Sequence, residues 1–536
     1  MENVDILFPN YARYSKRNIN ASCNKLQKRI ILLSDTHITN SGIFNRQRFE
    51  QAVKEILKIK KVDYILHLGD LTHNGTYLDY KQAVKLLKAY PKDKFFIIPG
   101  NHDSKNVGYL LFQELFGSRT FEIEDNVLYI LGVDSSFPDQ DAGRIGKRSI
   151  ARISEKLKNK KDKIKILCFH HHLLPVPLTG RERSTIIDGG DMLEMILDSD
   201  VDIVINGHRH ISNIYSFTNK KNEAILYNCG TLSCTKTRYK ELFTYTVMDI
   251  CPNTVSFNTK HLTDNKIFNR GRYLNRKINP IPRPENKNLY LKIAHIGNTH
   301  FSVDGYSEEI YQEAVRQINN INPDIVVHTG DITNTNKLDE FELASSKLKH
   351  IKFPLIIVPG DCDLQNFGWE LFPEWLGPLE PVFENDKARI IGINSIDMAL
   401  ESGVIGRRKM QETVAMLAAK ADKKINIVTF YHNLIPHPKT KFNTMLSDAG
   451  AVLKNFTALE NKIHLILNGH DHISFSLQIE DTIISSCGTL TSSDYLDLKG
   501  NTYNIIYCYD DGFVEIERVY VRSNIKQIIG SFWINI

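Results

Sequence analysis

The chain has 536 residues, 42% apolar and 24% charged, with 26 Phe and 22 Tyr, a composition that excludes a disordered chain and predicts two to four globular domains. Its 67 Lys plus Arg against 62 Asp plus Glu leave a net charge of only +5, too small for a dedicated nucleic-acid coat or a polybasic membrane binder. No stretch approaches the roughly 18–20 uninterrupted apolar residues of a membrane span, and the N-terminus lacks a signal-peptide core, so a soluble, cytoplasmic protein is expected. The eight cysteines contain no CxxC pair and are expected in the core, without a thiolate zinc site or a disulfide framework.

Residues 1–28 have no internal counterpart, and Phe8, Tyr11 and Tyr14 suggest a strap lying on a domain surface. The run IILLSD (30–35) then predicts a buried strand, and Phe49, Val53, Ile56 and Leu57 recur at helical spacing. Strands YILHLGD and FFIIPG, a helix around 110–116, and strands VLYILGVD, IKILCFH and VDIVING follow. This alternation predicts a largely parallel, layered α/β sheet, with the polar residues that end each run gathered at the strand carboxyl ends, where such sheets place ligands. The whole pattern then returns. YILHLGDLTHNG (64–75) recurs as IVVHTGDITNTN (325–336), FHHHLLPVP from Phe169 as FYHNLIPHP from Phe430, and INGHRH ending at His210 as LNGHDH ending at His472. Offsets of 258–263 residues mark a domain duplication and not a solenoid. The expected organisation is an extension at 1–28, a first domain at 29–262, a basic linker at 263–288 with Pro280, Pro282 and Pro284, and a second domain at 289–536.

In the first copy the strand ends carry Asp35-x-His37, Gly69-Asp70, Gly100-Asn101-His102-Asp103, His171 and Gly207-His208-x-His210. Carboxylate and amide oxygens with imidazole nitrogens, and no thiolate, suit Mn, Fe or Zn in a hydrolytic site. Seven candidate ligands exceed the needs of one ion and fit two that share a bridging carboxylate. Among the three adjacent histidines the repeat favours His171, which aligns with His432, over His170, which faces Tyr431, and His172, which faces Asn433.

This motif set, present twice, resembles the calcineurin-like metallophosphoesterase superfamily, whose pattern is DxH, GD, GNHD or GNHE, a later His, and GHxH. The resemblance implies two tandem domains, each a layered β-sandwich flanked by helices (αββα). It implies one metal on Asp35, His37, Asp70 and His210, and another on Asp70, Asn101, His171 and His208. A hydroxide between the metals would attack phosphorus, with His102 facing the substrate and Asp103 orienting His102. SDTH, GDLTHNG, PGNHD and HHHLLPVP are most similar to the class III cyclic nucleotide phosphodiesterases, which implies hydrolysis of a small phosphodiester, a cyclic nucleotide among the candidates. A phosphomonoesterase, a nuclease, or a non-catalytic binding or scaffold protein are the other readings; the near-neutral charge disfavours nucleic acid.

The second copy departs from the pattern, with Asn298 in place of Asp35, Asp361 in place of Asn101 and Cys362 in place of His102. His300, Asp331, His432, His470 and His472 remain, which leaves open whether a metal binds there. A thiol cannot replace imidazolium beside a phosphoryl group, so the second domain is expected to be catalytically impaired and structural or regulatory. Fusion of an active copy to a disabled one further suggests an intramolecular pseudo-dimer.

Overall fold

The computed structural model describes residues 26–535 apart from 181, 220–221, 239–240, 275–287, 303–305, 399–401, 419–421, 441–443 and 494–499. The expected strap and most of the expected linker, with its three prolines, lie outside those residues. The chain divides into two compact units, one for each copy of the repeat.

The first unit is built from β1 (Lys28–Leu33), α1 (Arg46–Ile56), β2 (Tyr64–His67), α2 (Tyr77–Leu87), β3 (Phe95–Ile97), α3 (Gly108–Phe116), β4 (Phe121–Glu124), β5 (Leu128–Gly132), α4 (Lys147–Lys158), β6 (Ile164–Cys168), α5 (Gly189–Asp198), β7 (Ile203–Asn206), β8 (Asn213–Thr218), β9 (Glu223–Asn228), β10 (Thr244–Ile250), β11 (Thr254–His261) and β12 (Ile267–Tyr273). One sheet has the order β12-β11-β10-β1-β2-β3, the other β8-β9-β7-β6-β5-β4. Strands β1, β2 and β3 are parallel, as are β5, β6, β7 and β9, in line with the alternation read from the sequence. The antiparallel ribbon β10-β11-β12 is an addition that the alternation does not announce. Its last strand occupies 267–273, inside the segment expected as linker: with Asn269, Arg270 and Arg272 it reads as linker but pairs along its length with β11.

Strand β1 explains the layering. Ile30 and Leu32 pack with Leu66, Ile130, Ile166, Ile205, Met248 and Phe257 between the two sheets. Ile31 and Leu33, on the opposite face, pack with Phe49, Val53, Tyr80 and Ala83 beneath α1 and α2. A strand buried on both faces reads as a continuous apolar run, and IILL is one.

The second unit repeats the design with β13 (Leu289–Ile296), α6 (Glu308–Ile321), β14 (Ile325–His328), β15 (Leu355–Ile357), β16 (Val382–Glu384), β17 (Ala388–Gly392), β18 (Ile425–Thr429), β19 (Leu465–Asn468), β20 (Phe475–Ile479), β21 (Thr482–Ser486), β22 (Thr502–Tyr509), β23 (Phe513–Tyr520) and β24 (Lys526–Trp533). Its sheets run β15-β14-β13-β22-β23-β24 and β16-β17-β18-β19-β21-β20. Leu291 and Ile293 face the inter-sheet core, Ala294 and Ile296 the helices. Among the described residues no helix is long and apolar enough to cross a membrane. Cys168, Cys229, Cys487 and Cys508 are buried free thiols, as expected, whereas Cys251 is disulfide-bonded, which the cysteine spacing does not reveal.

Candidate metal centre

The chain turns at the carboxyl ends of β1, β2 and β7 by placing individual residues in the left-handed region. Asp35 (φ 52°), His37 (φ 52°), Asp70 (φ 54°), His208 (φ 74°) and His210 (φ 57°) all do so without being glycine. Each such residue costs of order 1–2 kcal/mol, and strain of this kind concentrates at functional sites. Backbone bonds from Asp35 N to Gly69 O (3.0 Å) and His37 N to Asp70 O (2.9 Å) lock the first two turns together. The matching residues of the second unit, Asn298, His300, Asp331, His470 and His472, keep the same conformation, with φ of 48–74°.

These turns bring two sets of ligand atoms together in the first unit. In one, His37 Nε2 lies 3.2 Å from His210 Nε2, 3.5 Å from Asp70 Oδ2 and 3.9 Å from Asp35 Oδ1, and His210 Nε2 lies 3.2 Å from Asp35 Oδ1. In the other, His170 Nε2 lies 3.4 Å from Asp70 Oδ2 and 3.3 Å from His208 Nδ1, itself 3.1 Å from Asn101 Oδ1. Asp70 Oδ2 belongs to both. The far sides of the rings fix their orientation: His170 Nδ1 donates to the Leu68 carbonyl (2.7 Å), His210 Nδ1 to the Lys236 carbonyl (2.6 Å), and His37 Nδ1 meets His73 Nδ1 (3.1 Å). With Nδ1 protonated on these carbonyls, Nε2 of His170 and of His210 faces a carboxylate oxygen.

Ligand atoms on one ion with bonds of about 2.0–2.2 Å stand about 3–3.6 Å apart, and all of these separations but that of His37 from Asp35 (3.9 Å) are of that size. The electrostatics agree. Burial disfavours protonation of His170 and His210, yet Asp70 holds the first up at about 9 and Asp35 the second at about 10. Each carboxylate therefore draws a positive charge into the gap, and a divalent ion answers the same demand. Burial pushes His37 well down, against the pull of Asp70, and pushes His208 well down with help from His171 and Arg209, leaving neutral imidazoles as donors.

The geometry around two of the expected residues differs from the arrangement read in the sequence. His171 Nδ1 bonds Ser135 Oγ (2.8 Å), and burial, then His170, push it down to about 3, while the histidine gathered with Asp70 and His208 is His170. His432 repeats that contact with Ser395 (2.9 Å), so the alignment of His171 with His432 reports a shared contact, and it is His170 whose Nε2 stands beside Asp70. Asp103 does not orient His102. It accepts from the backbone N–H groups of Gly100 (3.0 Å), Leu71 (3.0 Å) and Thr72 (2.7 Å) and from Thr72 Oγ1 (2.9 Å), tying the turn after β2 to the one after β3. Burial, then Asp70, raise it to about 6. The His102 ring is held by its Nδ1 donating to the His73 carbonyl (2.6 Å), by stacking on His73 (centroids 4.8 Å), and by the edge of His37 (4.5 Å). Lys105 Nζ stands 3.5 Å from His102 Nε2.

His170, His73 and Cys234 were not singled out from the sequence. His73 follows Asp70 by three residues in GDLTH, and Cys234, which gathers with His37 and His210, carries no local signal. His67 is buried against Thr36 Oγ1 (2.5 Å).

In the second unit His300 Nε2 lies 3.4 Å from His472 Nε2 and 3.7 Å from Asp331 Oδ2. Tyr431 takes the place of His170, its hydroxyl donating to Asp331 Oδ2 (2.5 Å) while His470 Nδ1 donates to the phenol oxygen (2.8 Å). Asp361 Oδ1 is 3.4 Å from His432 Nε2, and Cys362 N donates to Asp331 Oδ1 (3.0 Å) as His102 N does to Asp70 Oδ1 (2.8 Å).

A layered α/β sandwich whose strand ends carry two ligand sets sharing one carboxylate defines the class of metal-dependent hydrolases. The chain belongs to the calcineurin-like phosphoesterase family, whose profile matches residues 28–212 and 291–474, and it is accordingly a phosphoester hydrolase. It is similar to a protein named "Probable cyclic nucleotide phosphodiesterase" from Vesicomyosocius okutanii subsp. Calyptogena okutanii, 24% identical over 238 residues, 44% of this chain and 98% of that one. A "Probable glycerophosphodiester phosphodiesterase" from Arcobacter nitrofigilis is 32% identical over 158 residues, 27% of this chain and 56% of that one. A glycerophosphodiester phosphodiesterase from Enterobacter lignolyticus is 25% identical over 244 residues, 41% of this chain and 80% of that one.

Proposed function

We propose that the first unit hydrolyses a small phosphodiester, with two divalent ions of the Mn, Fe or Zn type held by Asp35, His37, Asp70 and His210 and by Asp70, Asn101, His170 and His208. The observation that carries this reading is the convergence of His37 Nε2 and His170 Nε2 on Asp70 Oδ2 from both sides. When bound, such ions supply Lewis acidity toward phosphoryl oxygens and lower the pKa of water toward neutrality. The chain's own groups do the rest. His102, with Nδ1 committed to the His73 carbonyl, presents Nε2 to the leaving oxygen and supplies its proton. Lys105 adds positive charge beside that atom. Asp103 is a positioning residue that keeps the Asp70 and His102 turns in register.

A diester is favoured because the relatives named above act, by their names, on cyclic nucleotides or glycerophosphodiesters, and both are phosphodiesters. The second unit we assign a structural or regulatory role, since Cys362 stands where His102 does and Tyr431 where His170 does. The test is hydrolysis of a chromogenic phosphodiester and its monoester in added Mn²⁺ by the whole chain and by His102→Ala. Diester turnover exceeding monoester turnover and falling about 10²–10⁴-fold in the variant sustains the reading. Preference for the monoester makes it a phosphomonoesterase, and no turnover of either ester favours a binding protein.

A further inference from the structure

We infer that the second unit binds a single divalent cation, through His300, Asp331 and His472 with Asn298, and that Tyr431 closes the position a second ion would take. This goes beyond the activity proposed for the first unit and stands whether or not that unit is active.

The retained half of the site is built like its counterpart. His300 Nε2, His472 Nε2 and Asp331 Oδ2 converge at 3.4–3.7 Å, as His37, His210 and Asp70 do. Asn298 N bonds Gly330 O (3.0 Å), reproducing the bond of Asp35 to Gly69, so Asn298 is mounted on the same turn as Asp35. Asn298 is fully buried; its Nδ2 donates to the Gly488 carbonyl (3.4 Å), and its Oδ1 accepts no hydrogen bond. A buried amide oxygen left without a donor is costly, and a cation is the partner that satisfies it together with two imidazoles and a carboxylate. The left-handed backbone of Asn298, His300, Asp331 and His472 is retained as well, which ordinary core packing does not require.

The other half has changed. In the first unit His208 Nδ1 faces an amide oxygen and an imidazole lone pair. In the second, the equivalent His470 Nδ1 carries the proton it gives to Tyr431, and that phenol gives its own proton to Asp331 Oδ2. Two protons satisfy the groups that a second ion would bridge. Asp361, where Asn101 would be, sits beside His432. Two imidazoles with carboxylate and amide oxygens suit Mn, Fe or Zn.

Metal content of the full-length chain, loaded with Mn²⁺ and desalted, tests this directly. Three ions per chain are expected, two after His300→Ala/His472→Ala, and one after His37→Ala/His210→Ala/His170→Ala. That last ion should give the sharp six-line electron paramagnetic resonance of isolated Mn²⁺, and Tyr431→His should raise the wild-type count to four. If wild type holds two ions and His300→Ala/His472→Ala still holds two, the inference is overturned while the first-unit reading survives. If wild type holds one and that ion is lost in His300→Ala/His472→Ala, the inference stands and the first-unit reading fails. A count unchanged by Tyr431→His removes Tyr431 as the closing group, and this arm does not depend on the double variant folding.

Discussion

The carbonyls of Leu68 and Lys236 each take an Nδ1 proton from a histidine and so decide which ring nitrogen faces inward. That local arrangement separates His170 from its neighbour, and it makes a direct prediction. His170→Ala should weaken Mn²⁺ binding by at least about 10–100-fold, measured by titration calorimetry, while His171→Ala, which loses a brace to Ser135, should keep its affinity and lose stability. The opposite ranking would restore His171 to the ligand set. Asp125 illustrates a residue whose work is purely structural. Its Oδ1 accepts from Val127 N (2.8 Å) and Leu128 N (2.9 Å), and its Oδ2 meets Lys28 Nζ (2.8 Å) and Tyr64 Oη (2.7 Å). Burial would raise its pKa, but Lys28 and the two amides outweigh that and hold it at about 2. A carboxyl depressed in the fold stabilises above its unfolded value and loses that contribution as pH falls through the folded one. The difference in unfolding free energy between wild type and Asp125→Asn should therefore be constant above about pH 5 and shrink between about pH 4 and 2 in urea titrations. Asparagine serves the turn itself, as Asn385 does with Lys387 N (2.9 Å) and Ala388 N (2.8 Å), so the loss near pH 7 should be only about 1 kcal/mol.

At the scale of elements, the site depends on how closely the turn after β2 approaches the turn after β3. A Cβ on Gly100 would fall 2.2 Å from Asp70 Oδ1 and 2.5 Å from Asp70 N, and one on Gly360 would fall 2.2 Å from Asp331 N. Gly100→Ala should cost about 1–3 kcal/mol by thermal melting and also lower metal affinity, because relief of the clash must move Asp70. Unchanged affinity with a lowered melting temperature would mean that the clash is relieved through Gly100 and not through the carboxylate. Helices and parallel strands of the first unit were legible because each apolar run is either doubly buried, like IILL, or periodic at helical spacing, like Phe49, Val53 and Ile56. The strand β12 was not, since an edge strand with Asn269, Arg270 and Arg272 has the composition of a linker and is defined only by its pairing with β11.

For the whole molecule, ions bound only by the folded state must stabilise it in proportion to their affinity and concentration. Treatment with a chelator should lower the melting temperature of the full chain by several degrees, at about 2–4 °C per kcal/mol for units of this size, and added Mn²⁺ should restore it. An unchanged melting curve would argue that protons on His170 and His210 already satisfy Asp70 and Asp35 in solution.

By itself the sequence determined the duplication and the layered α/β architecture, and it singled out the polar strand-end residues that the fold gathers, because glycine-punctuated strand ends carry short polar motifs that local geometry forces into one place. Only the tertiary structure showed which of His170 and His171 stands beside Asp70, the hydrogen bonds by which Asp103 braces two turns, and the contact of Tyr431 with Asp331. The reason is physical. A repeat comparison finds what both units keep, and both keep the histidine that bonds a serine, whereas the histidine beside Asp70 is the one the second unit replaced with tyrosine. Which way a ring points after a strand end is set by the carbonyl across the sheet, and that carbonyl, Leu68, is 102 residues away in the chain.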